Sequence, residues 1–159
     1  MSVASRPIVV AFGSNLGARR QNVLDAARET GRIILEFTLS NLIETTPVGV
    51  GLEHDPPFLN AVGVGHSSAS VREIFDALRA IEARGGRTRS TPGAPRTIDV
   101  DLILAGDQIV DEPDLQVPHP RFRDRLFVLA PLAEVAPDLR DPVTGMTVRR
   151  LFEDKKSRA

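Results

Sequence analysis

Two aspartates, Asp99 and Asp101, stand two apart in the run Ile98-Asp99-Val100-Asp101-Leu102. On a strand, both carboxylates leave the same face, with Cα atoms about 7 Å apart. Hard oxygen donors so placed suit one or two Mg²⁺ ions. Two such ions can clamp a phosphoryl group during transfer. An edge strand with a solvated polar face gives the same pattern, and the pair alone does not choose between the two. Just upstream, residues 83–98 hold Arg84, Arg87, Arg89 and Arg96 and no acid. Guanidinium forks match phosphate oxygens, and the Gly and Pro among them let a loop close on an anion. A loop of solvated arginines is the alternative. Taken together, an arginine loop running into paired carboxylates describes a site for a triphosphate and Mg²⁺. No Walker A sequence is present, so a nucleotide would be held without a P-loop. Gly13-x-x-x-Gly17 reads as a turn and helix entry, with Asn15 as a local cap.

Three further residues carry weaker signals. His119 lies between Pro118 and Pro120, with Arg121, Arg123 and Arg125 following, and reads either as a phosphate donor or as a structural residue. Phe58 and Asn60 share one strand face and can stack on, and hydrogen-bond to, a flat heterocycle. A core phenylalanine and a turn asparagine fit as well. His54 and His66 have no ligand-spaced partners and read as surface residues, and no Ser/His/Asp triad can be built.

The elements that must position these residues follow from periodicity. Pro7–Phe12 is a short apolar run and reads as a buried strand. Residues 18–31 form an amphipathic helix closed near Gly31. Leu35, Phe37 and Leu39 alternate with polar residues, and Phe58–Gly65 is the partner strand across a long connection. Ser70 caps the next helix, with Glu73 three residues on. Ile98, Val100, Leu102 and Leu104 define the buried face of the strand that carries the aspartates. The order β-α-β-β-α-β is the split βαβ arrangement, an α+β ferredoxin-like βαββαβ core. The remaining residues form a C-terminal extension packed on the same sheet, within a single domain over 1–159. Its apolar stretch Leu126–Ala133 is broken by Pro131, and Asp154–Ala159 is expected to fray.

Composition narrows the function. The 159 residues carry a net charge of -1, seven Phe, and no Tyr, Trp or Cys. That excludes a thiolate metal site or a cysteine nucleophile, and argues against a nucleic-acid or membrane surface. No apolar run approaches the ~18 residues of a membrane span.

With these residues in view, the chain resembles the 6-hydroxymethyl-7,8-dihydropterin pyrophosphokinases of folate biosynthesis, over about residues 8–152. The resemblance rests on five motifs in order. They are Gly13-Ser14-Asn15-Leu16-Gly17; Thr46-Pro47-Val48-Gly49 with Phe58-Leu59-Asn60-Ala61; Ile81-Glu82 with Gly86-Arg87-Thr88-Arg89; Pro95-Arg96-Thr97-Ile98-Asp99-Val100-Asp101; and Val117-Pro118-His119-Pro120-Arg121 leading to Arg125-Leu126-Phe127-Val128. It implies transfer of the β,γ-diphosphate of ATP, as co-substrate, to a pterin hydroxymethyl group. By this likeness Asp99 and Asp101 hold two Mg²⁺ ions, and Arg87 and Arg96 engage the phosphates. Glu82, Arg89, Leu102, Gln116, His119 and Arg125 fall at ATP-site positions. Phe58 and Phe127 sandwich the pterin, Asn60 and Thr45 contact its polar edge, and the Val48 backbone lies alongside. Loops at 48–57 and 84–96 then serve as lids that exclude water. A cytoplasmic monomer with small-molecule substrates only, ATP and a reduced pterin, is expected.

The chain also departs from that family. Thr91-Pro92-Gly93-Ala94 precedes Pro95 where many members carry Arg-Trp-Gly, and Arg79 stands where a glutamine is common. A non-catalytic ligand-binding module on the same fold, including a degenerate paralogue, and a metal-dependent phosphohydrolase are the competing readings.

Overall fold

The computed structural model describes residues 4–46, 56–85 and 97–158. Strand β1 (Arg6–Ser14) leads into helix α1 (Arg19–Thr30), then β2 (Leu35–Leu39), β3 (Ile43–Thr45) and β4 (Phe58–Ser67). Helix α2 (Val71–Arg84) and strand β5 (Asp99–Ala105) complete the first two-thirds. A small hairpin, β6 (Val110–Glu112) and β7 (Leu115–Val117), follows, then a 3₁₀ turn, α3 (Leu126–Val135) and α4 (Val148–Arg158). The main sheet runs β2-β4-β1-β5, with antiparallel neighbours throughout. This is the α+β arrangement expected from the element order. The short β3, not anticipated from the sequence, pairs with the other end of β4 along the same edge as β2.

Each face of the sheet buries its own core. Ile8, Val10 and Phe12 of β1 meet α1 and α2 on one side. Val9 of β1 meets Phe122, Val128, Leu129, Leu132, Val148 and Leu151 on the other. α2 forms as its sequence dictates. Ser70 Oγ accepts the Glu73 N–H at 3.1 Å, and Val71, Ile74, Leu78 and Ile81 all turn inward. Phe37 packs edge-on to Phe12, with ring centroids 6.0 Å apart. Its ring lies across Gly63, where any Cβ would fall 2.0 Å from Phe37 Cζ, so only glycine fits that position on β4.

Four expectations need correction. Leu104 does not share the face of Val100 and Leu102. Val10 pairs with Leu102 but Val9 pairs with Leu104, so Ile103 is an extra residue, a β-bulge, and Leu104 crosses to the α3 side. Asn15 does not cap α1, whose N-cap is Ala18 with no side-chain bond; the Asn15 amide donates instead to the Pro56 carbonyl at 3.5 Å. Pro131 does not break the apolar stretch but lies inside α3, buried. The residues from 154 onward continue α4 as far as Arg158. No helix among the described residues is long and apolar enough to cross a membrane.

Candidate active site

Asp99 and Asp101 leave β5 on the face that α3 covers, paired across to Gly13 and Ala11 of β1. Both are partly buried. They line a cavity of about 640 Å³ whose walls come from β1, β3, β4, β5 and the start of α3. Phe58, Asn60, Thr45 and Thr46 form one wall, and Arg125, Phe127 and Val128 another. The two small residues opposite the aspartates keep the floor open. At Gly13 a Cβ would stand 3.1 Å from Asn60 Oδ1.

The polar groups of the first wall are fixed by their own bonds. Asn60 is buried, and its Nδ2 donates to Thr45 Oγ1 at 2.8 Å. That sets the amide orientation and leaves its oxygen over Gly13. On the second wall the Arg125 guanidinium lies 5.5 Å from the Phe127 ring centre. Two aromatic rings, an oriented amide and a hydroxyl therefore bound a space that suits a flat, polar heterocycle.

A second hollow, about 240 Å³, opens on the outer edge of β5. Leu102, Gln116, Arg79, Phe75 and Leu115 line it. Asp101 and His119 line both spaces. The β5 edge is held from α2. Buried Glu82 accepts the Val100 N–H at 2.9 Å and pairs with Arg79 at 3.1 Å. Glu82, expected at an ATP position, thus grips the strand between the two aspartates. Arg79 also stacks 5.4 Å from the Phe75 ring. Gln116 sits exposed on β7, its amide donating to Asp111 at 3.0 Å.

His119 is tied to β5 through its backbone, which donates to the Ile103 carbonyl at 2.9 Å. Its Nδ1 accepts the Arg121 N–H at 3.2 Å, so the neutral ring carries its proton on Nε2. Burial, then the nearby charges of Arg125 and Arg121, push its pKa down to about 4. At neutral pH it is an uncharged donor.

Asp99 and Asp101 are the residues fit to hold a metal ion. Among the described residues no cluster of three or more His, Cys, Asp or Glu has metal-site geometry. Two hard carboxylates with the remaining positions left to water and phosphate oxygens match the habits of Mg²⁺. Of the other sequence-derived candidates, Val48, Arg87, Arg89 and Arg96 lie outside the described residues. Arg84, grouped with the loop arginines by composition, belongs to α2 and pairs with Glu29 of α1 at 3.0 Å. The sequence alone did not point to Ala11 as a wall residue; a small residue opposite an acid on a paired strand is the signal, and it needs the register.

The profile of the 7,8-dihydro-6-hydroxymethylpterin-pyrophosphokinase (HPPK) family matches residues 9–137. A Pseudomonas aeruginosa relative, a 2-amino-4-hydroxy-6-hydroxymethyldihydropteridine pyrophosphokinase, is 40% identical over 138 residues, covering 85% of this chain and 83% of that one. A Synechocystis relative of the same description is 36% identical over 91% of this chain and 74% of its own. Among solved structures, Plasmodium falciparum HPPK-DHPS with pteroate matches 99% of this chain at a TM-score of 0.76 and 14% identity, a likeness of fold. This chain spans 44% of that longer protein. On the family match and these relatives, the chain belongs to the HPPK family.

Proposed function

We propose that this chain transfers the β,γ-diphosphate of ATP to the hydroxymethyl group of 6-hydroxymethyl-7,8-dihydropterin, releasing AMP, in folate biosynthesis. The observation that carries the reading is the shared wall. Asp101 and His119 belong to both the aromatic cavity and the hollow on the β5 edge, so ligands in the two spaces meet beside them.

The division of labour follows from the two spaces. Phe58 and Phe127 take the faces of the pterin ring, and Asn60 and Thr45 its polar edge, with the Val48 backbone beside it. Leu102, Gln116 and Glu82 are on the nucleotide side, with Arg79 as a neighbour. The substrate hydroxyl oxygen bonds to the β-phosphorus and loses its proton to solvent, the bond from that phosphorus to the α-phosphate bridging oxygen breaks, and AMP leaves with that oxygen. Asp99 and Asp101 would hold Mg²⁺, two ions in this reading, which would neutralise charge developing on the phosphate oxygens. His119 donates an uncharged hydrogen bond from Nε2, and Arg125 supplies a fixed positive charge in the cavity. Arg87, Arg89 and Arg96 add guanidinium contacts to the phosphates. Most of the rate then comes from positioning and preorganised charge. A cytoplasmic monomer with ATP and a reduced pterin as its substrates belongs to the same reading.

The test is a product assay with ATP, Mg²⁺ and the pterin, read by phosphorus NMR. AMP and diphosphorylated pterin should form one for one. AMP without modified pterin would make the protein a hydrolase, and no reaction from a folded, ATP-binding protein would make it a binding module.

A further inference from the structure

The pterin wall depends on a short piece of sheet. β3 pairs with β4 through three residue pairs only: Ile43 with Asn60, Glu44 with Leu59, and Thr45 with Phe58. The last of these is also the end of the ladder, and it holds two of the residues that face the pterin. Ends of short ladders open readily, because few bonds hold them. An open end would separate the Phe58 ring from the Thr45 and Asn60 pair.

One side chain outside the cavity opposes this. Arg19, at the first turn of α1, donates from Nη1 to the Pro57 carbonyl at 2.8 Å and from Nη2 to Glu44 Oε2 at 3.1 Å. Pro57 immediately precedes Phe58, and Glu44 immediately precedes Thr45. A planar guanidinium thus spans both strands next to the terminal pair. Only a fork can do this, since the two acceptors need separate donors in one plane. The ion pair itself is poorly shielded, with side chains 30% and 56% exposed, so its value lies in geometry more than in attraction. Asn15 reinforces the same point, its buried amide reaching the neighbouring Pro56 carbonyl. The nucleotide hollow is on the far edge of the sheet, along β5, with β1 between.

We infer that Arg19 is a positioning residue for the pterin, acting through Pro57 and Glu44 on the Thr45–Phe58 end of the ladder. The inference rests on the proposed reaction, and its test separates the two. Arg19→Met should raise KM for the pterin about tenfold, while KM for ATP, turnover at saturation and the melting temperature stay at wild-type values. Arg19→Lys should recover part of the loss, because an ammonium can reach one acceptor well but not both. An unchanged pterin KM, or an equal rise in both KM values, overturns the assignment. If Arg19→Met does not fold, the lysine variant decides: a folded Arg19→Lys protein with wild-type pterin KM also overturns it. Equilibrium binding of the pterin, followed by ligand fluorescence, keeps the two failures apart. Arg19-dependent binding without transfer refutes the reaction and leaves the positioning role standing. Transfer with Arg19-independent KM refutes the role and leaves the reaction standing.

Discussion

Asp99 and Asp101 differ in reach. Of the two spaces described, Asp99 lines the aromatic cavity, whereas Asp101 lines that cavity and the hollow on the β5 edge. Replacing either with alanine should lower turnover by at least ~10³-fold, about 4 kcal/mol of barrier, with the melting temperature little changed. Retained turnover in either variant removes the metal assignment. His119 gives a prediction in pH. Its pKa falls from the usual 6.5 to about 4 on folding, so between these values the unfolded chain binds the proton and the native chain does not. Its contribution to stability is therefore complete above 6.5 and is lost as the pH falls toward 4. Denaturant titrations from pH 7 to 4 should show a shallower decline for His119→Asn than for the wild type. That one cavity would gather the paired acids, the histidine between prolines, and the phenylalanine and asparagine on one face was legible from their types and spacing. Arg19 was not, because an arginine at a helix start means nothing until the fold brings Pro57 and Glu44 to it.

At the scale of elements, β5 is the piece on which the site turns. Its outer edge is held by Glu82, which takes the Val100 N–H between the aspartates. Glu82→Ala should destabilise the fold by about 3 kcal/mol, because a buried strand amide loses its acceptor and Arg79 its partner. Glu82→Gln keeps an acceptor oxygen and should cost clearly less; equal urea midpoints for the two variants would count against this role. The alternation that exposed the two acids in the sequence is real up to Leu102 and then fails. A bulge at Ile103 changes the parity, and nothing in an apolar run of Leu, Ile and Leu marks which residue will be the extra one. Capping at Ser70 was readable because both halves of the interaction lie in one turn. The bond of Asn15 cannot be read in this way, because its partner, Pro56, is 41 residues away. Pro131 sits inside a helix that tertiary packing maintains, which local propensity argues against.

The molecule as a whole has a sheet with two unlike faces. One is closed by α1 and α2; the other is shared between the second core and the cavity. α3 serves both, for Leu129 and Leu132 are fully buried while its neighbours Phe127 and Val128 line the cavity. Leu129→Ala should cost about 2–5 kcal/mol, read as a lower urea midpoint with unchanged slope. A loss much smaller than that would mean α3 rests on the sheet without sharing its core. The C-terminal extension is thus structural for the first two-thirds of the chain and, through Arg125 and Phe127, a part of the site. The same arrangement orders events during synthesis on the ribosome. Every strand of the main sheet, and both acids, has been translated by Ala105, but the opposite wall of the cavity is not made until α3 follows. A nascent chain stalled between those points carries the carboxylates on an unfinished surface, so the cavity is completed late, first by His119 and then by the residues from Arg125 to Val128.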